Sequence, residues 1–178
     1  TVSSESRPPP RRRVAWPGAM RAHRERRVVS THSLSRREIV ALVVVVAVFA
    51  GWLLMPVIRQ PQEYHAFADQ RAFLGIPHAA DVLSNFALVA AGLFGLWRTQ
   101  RTPRPLLPIT RASLVVSFAG MALSGFGSIW YHLSPTDVTL VWDRLPMTIA
   151  FAGVYGAMFA ERISARAGLA ILLIALVV

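Results

Sequence analysis

The chain has 178 residues, 54% of them hydrophobic, a formal charge of +10 and no cysteine. So apolar a composition exceeds that of an ordinary soluble domain, and the missing cysteine excludes disulfides, thiolate metal sites and cysteine nucleophiles. The charge is concentrated: residues 1–37 hold ten of the nineteen arginines against Glu5 and Glu25, a net +8, while 38–178 hold nine arginines against seven acids, and lysine is absent throughout. This distribution argues against a nucleic-acid-binding domain, which needs its basic groups on a folded face, and for a basic tail followed by a membrane domain.

Residues 1–37 are rich in Arg, Pro and Ser, with Pro8 to Pro10 running into Arg11, Arg12 and Arg13. Such a segment buries too little apolar surface to offset its ordering entropy, so it reads as a disordered cytoplasmic tail. The first residue is Thr1, and Met20 offers an alternative start that would leave 1–19 untranslated. Residues 38–58 are nearly all apolar and long enough to cross about 30 Å of hydrocarbon. Arg36 and Arg37 ahead of them hold the helix start in the cytoplasm; a twin-arginine export signal is the competing reading.

Four further apolar segments are predicted at 79–97, 113–132, 140–160 and 168–178. The whole reads as an all-α polytopic membrane bundle. The last run covers only about 16 Å at helical rise, half a bilayer, so the sequence reads as C-terminally truncated. The loops carrying Arg98, Arg101, Arg104, Arg111, Arg162 and Arg166 fall on the cytoplasmic side by the positive-inside rule. The 59–78 and 133–142 loops fall outside. Glycines within the spans, among them Gly92, Gly120, Gly127 and Gly153, allow close helix contact.

Polar groups inside such spans are expensive and point to function. Asp81 opens the second span, with Ser84 and Asn85 three and four residues on, sharing its face. Ser128 and His132 share a face at the end of the third span, and Asp143 opens the fourth. Spans two, three and four alternate in direction, so Asp81, Ser128, His132 and Asp143 fall at one depth, toward the outer face. Each has a structural alternative: Asp81 and Asp143 as helix N-caps, His132 as an interfacial residue, Ser128 bonded back to its own helix. Trp97, Trp130, Tyr131 and Trp142 read as an interfacial aromatic belt. A serine, a histidine and an aspartate invite a hydrolytic triad, but the spacing buries the serine in a helix wall. A zinc site suits the residue types better, yet catalytic zinc takes three protein ligands and the spacing places only His132; His65 and His78 lie in or beside the outer loop with nothing to position them.

The segments G-F-G-S-I-W-Y-H-L at 125–133 and W-D-R-L-P-M at 142–147 resemble the alkaline ceramidase family, phytoceramidase-like members of the CREST group of membrane hydrolases. D-V-L-S-N at 81–85 is similar to the family's first core helix. Y-H-A-F-A-D-Q-R at 64–71, running to G-I-P at 75–77, resembles the lead-in of bacterial members. The likeness covers about residues 60–160. It implies a seven-helix core, here preceded by one extra span, in a bacterial inner membrane with the N-terminus cytoplasmic. It implies hydrolysis of a ceramide-like lipid to a long-chain base and a fatty acid. By the same resemblance His132 is a Zn²⁺ ligand, Asp143 handles the proton of the zinc-bound water, Ser128 stabilises the oxyanion, and Asp81, Ser84 and Asn85 support the site. Two further histidine ligands, in the family's H-x-x-x-H arrangement, are expected beyond Val178. The acidic run that binds calcium in eukaryotic members is missing, and Glu63 and Asp69 do not replace it. A non-catalytic receptor or scaffold on the same bundle, and a related hydrolase of another lipid amide or ester, are the alternatives.

Overall fold

The computed structural model describes residues 33–56 and 60–177, so the expected disordered tail lies almost wholly outside the described residues. Five α-helices follow in order: α1 (Arg36–Leu53), α2 (Ala79–Arg101), α3 (Pro108–Leu133), α4 (Asp137–Arg162) and α5 (Ala165–Val177). A short 3-10 turn, Gln62–His65, lies between α1 and α2, and no strand occurs among the described residues. The all-helical expectation holds at this level. Two helices, α2 and α3, are long and apolar enough to cross a membrane; α5 is apolar but shorter.

Local chemistry sets the helix ends. Pro108 occupies the first turn of α3, where its missing N–H has no partner to lose. Thr136 caps α4 through a reciprocal box, its hydroxyl accepting from Thr139 N–H at 3.2 Å while its own N–H donates to Thr139 Oγ1 at 3.0 Å. That box starts α4 at Asp137, so Asp143 lies inside the helix and is not its cap. Asp81 is not a cap either: the N-cap of α2 is His78, in the left-handed conformation with φ 47°. Asp69, from the preceding loop, does the capping instead, its Oδ2 accepting from Ala80 N–H at 2.9 Å. Arg71 Nε donates to Asp69 Oδ1 at 2.8 Å. These bonds, the guanidinium's first, hold the Asp69 carboxyl below its ordinary range. Their contribution is present above the ordinary carboxylate pKa and is lost as pH falls through the lowered one. Asp69→Ala is expected to loosen the loop before α2, read as faster tryptic cleavage after Arg71 with the rest of the tryptic pattern kept.

Packing is sequential: α3 sits between α2 and α4, and α4 also carries α5. Small residues line the contacts. A Cβ at Gly92 would strike the backbone of Ala122, one at Gly153 that of Ser117, and one at Gly127 the Trp142 carbonyl oxygen. The last contact has a cause in α4. Pro146 has no N–H to offer the Trp142 carbonyl one turn back, and that oxygen lies against Gly127. Ser113, Ser117, Ser124 and Ser128 of α3 are all buried, while Phe94, Leu123, Phe126 and Phe151 stay more than half exposed. The interior is built of small and weakly polar residues and the surface of large apolar ones.

Candidate functional site

Residues 62–78 fold over the end of the bundle where α2 begins, α3 ends and α4 begins. His65 anchors it. Its Nε2 lies 3.0 Å from Asp137 Oδ1 and its Nδ1 lies 2.8 Å from the Tyr131 hydroxyl. A carboxylate only accepts, so Nε2 carries a proton, and in the neutral ring Nδ1 accepts from Tyr131 O–H. Gln62 Nε2 donates to the other Asp137 oxygen at 3.2 Å. Phe67 follows, its ring centroid 4.5 Å from that of His132, 5.0 Å from His78 and 5.3 Å from Tyr131. His78 Nδ1 donates to the Asp69 carbonyl at 2.6 Å, which offsets part of the strain of its left-handed backbone.

Beneath this cover, His132 of α3 and Asp81 of α2 meet. His132 Nδ1 lies 3.8 Å from Asp81 Oδ2, too far for a hydrogen bond. That nitrogen is buried and has no hydrogen-bond partner among the described residues. Ser84 and Asn85 turn away: Ser84 Oγ and Asn85 Nδ2 donate to the Asp81 backbone carbonyl at 2.9 and 2.8 Å. They share the expected helix but bond within it, as Ser and Asn do where a nearby carbonyl is free to accept. Ser128 is buried one turn before His132, and Asp143 is half-buried on α4. Both lie at this end of the bundle, and the Gly127 contact with Trp142 brings their helices together there. Among the described residues neither is hydrogen-bonded to His132.

Sequence reasoning missed the His65–Tyr131–Asp137 chain. Tyr131, expected in an exposed aromatic belt, is 2% exposed because the 62–67 segment covers it. Trp130 and Trp142 do face outward, stacked at 6.1 Å. The only available signal was the cluster of His65, Phe67 and Asp69 in the loop, and no periodicity ties a loop to a helix partner.

The donor set has the chemistry of part of a zinc site. A buried imidazole nitrogen without a partner, beside a carboxylate, is what a first-row divalent metal takes. No group of three or more His, Asp or Glu able to hold a metal occurs among the described residues. His132, with the Asp81 carboxylate beside the same nitrogen, therefore fits as one ligand of an incomplete set. Compared with known protein families, curated proteins and solved structures, the chain matches none.

Proposed function

We propose that the chain belongs to an integral-membrane, zinc-dependent hydrolase that cleaves ceramide-like lipids to a long-chain base and a fatty acid, as the alkaline ceramidase resemblance implies. The observation that carries the reading is His132: a buried, unpartnered Nδ1 beside the Asp81 carboxylate, at the histidine of the S-x-x-x-H segment. The membrane part is supported by α2 and α3 and by the inverted distribution of side chains, small inside and large apolar outside. That distribution suits contact with lipid tails and would expose an aggregating surface in water. The proposed bundle has α1 to α5 as its spans, the N-terminus in the cytoplasm of a bacterial cell and the Asp81–His132 end at the outer face of the inner membrane.

A bound zinc ion supplies a strong nucleophile at neutral pH and polarises the amide carbonyl. The chain's own groups supply the rest. His132 would hold the ion, with the Asp81 carboxylate beside the same imidazole nitrogen. Asp143 accepts a proton and returns it to the leaving amide nitrogen, and Ser128 donates to the oxygen that becomes negative. The cover formed by His65 and Phe67 keeps bulk water off His132 from the loop side, so the lipid enters laterally from the bilayer.

A panel of ceramides, other lipid amides and lipid esters, assayed on the purified protein with and without chelator, tests this. Ceramide cleavage should vanish with chelator and return with Zn²⁺. Activity indifferent to chelation would sink the zinc reading, and preference for esters would move the substrate class. Asp143→Asn is expected to lower kcat about 10²- to 10⁴-fold, as loss of an acid–base group does, with zinc content unchanged. The second reading, a receptor or scaffold without catalysis, is favoured by one observation: Ser128 and Asp143 form no hydrogen bond with His132. Unchanged lipid turnover in Asp143→Asn would select it.

A further inference from the structure

At the opposite end of the bundle α1 meets α4 in a different way. Its N-terminal turn is tied down by Glu38, which is buried and whose Oε1 accepts from Ser164 Oγ at 2.6 Å in the turn between α4 and α5. Ala41 and Val45, on the same helix face, are half-buried. Val48, next on that face, is 69% exposed. Beside this tied turn lies a groove of about 420 Å³ lined by Arg36, Arg37, Val40, Val44, Phe159 and Ile163. Its lining is almost wholly apolar, and Arg36 and Arg37 border it at one end, neither in an ion pair among the described residues. Arg162 ends α4 and Arg166 lies in the first turn of α5, so with Arg36 and Arg37 four arginines stand at this end against Glu38 and Glu161.

We infer that this groove seats an anionic diacyl phospholipid, its phosphate on Arg36 and Arg37 and an acyl chain along Val40, Val44, Phe159 and Ile163. The charge and the apolar lining select this occupant together. A soluble anion leaves the apolar lining uncovered, and a lipid without net charge gains less from the arginines gathered at this end. Basic pockets between helices on the cytoplasmic side suit lipid headgroups of this charge. The inference rests on the membrane part of the proposed function and is independent of its zinc chemistry.

The test is native mass spectrometry of the purified full chain after equilibration with phosphatidylglycerol, phosphatidylethanolamine or phosphatidylcholine. Phosphatidylglycerol should be retained in preference to the other two. The double substitution R36Q/R37Q should weaken that retention about tenfold or more, the scale expected of two surface guanidinium contacts. Val44→Trp fills the groove while keeping both charges and should also expel the lipid; its thermal unfolding without lipid, matched to the parent, shows that the fold persists. R98Q/R101Q removes the same charge elsewhere and should leave retention intact. Equal loss in R98Q/R101Q, full retention in Val44→Trp, or displacement by inorganic phosphate overturns the inference. Alkaline carbonate extraction of membranes separates the two layers: release of the chain defeats the membrane reading itself, whereas a retained chain that does not discriminate among the lipids defeats only the groove.

Discussion

Replacing His132 with alanine is expected to strip zinc from the protein and reduce lipid-amide hydrolysis to background. The reason is positional. His132 closes α3 at the point where α2 begins, its Nδ1 is buried, and no protein donor or acceptor satisfies it. A buried polar atom left in that state costs free energy unless a ligand takes it up, and imidazole nitrogen is a favoured zinc donor. Asp81→Asn should act more mildly. The carboxylate lies 3.8 Å from the same nitrogen and puts a negative charge beside the ion's position, so its loss should weaken metal affinity without removing the histidine. Metal analysis of both variants beside the parent checks the order: zinc absent in His132→Ala, weakened in Asp81→Asn. Unchanged zinc in His132→Ala removes His132 from the ligand set. A purely structural histidine would instead show a lower unfolding temperature with metal content intact.

Substituting Gly127 is expected to have the largest effect on stability. The Trp142 carbonyl, left without its helical donor by Pro146, lies where a Cβ would go, and both groups are backbone, so neither can rotate aside. Gly127→Ala should force α3 and α4 apart at this level and cost about 1–3 kcal/mol, as overpacking of a tight contact does; Gly127→Val should cost more. Ser128 and Asp143 flank this contact, so hydrolysis should fall more steeply than stability. Gly51→Ala is the control: a Cβ there meets nothing within 4 Å, and the helix gains about 1 kcal/mol of propensity. Thermal unfolding in detergent, with hydrolysis measured in parallel, reads both. Equal unfolding temperatures for Gly127→Ala and the parent would show that the α3–α4 contact tolerates a side chain.

Apolar stretches located all five helices, because in each a long run of apolar side chains is sustained well beyond strand length. Their ends were less legible. The fourth helix starts at Asp137, earlier than its hydropathy suggests, because the Thr136–Thr139 capping box is polar and hydropathy does not register it. The pairing of Ser128 with His132 at one helical turn was readable, as was their common end with Asp81 and Asp143, since helix direction and length decide depth. Which of them touch was not. Ser84 and Asn85 lie on Asp81's helix yet bond to its backbone, and Asp81's side chain meets His132 from another helix altogether.

By itself the sequence determined the helical class, the order of the helices and the end of the bundle where the polar residues gather, because these follow from periodicity, length and the alternating direction of successive helices. Tertiary structure alone decided that Asp81 faces His132, that Tyr131 is buried beneath His65, that Asp69 caps a helix eleven residues on, and that α1 and α4 border one groove with Arg36 and Arg37 at its end. Each of these contacts joins residues from separate elements. Which pairs form depends on the interhelical distances that Gly92, Gly127 and Gly153 permit and on the path of a loop with no periodicity of its own, and neither is encoded in the pattern of any single segment.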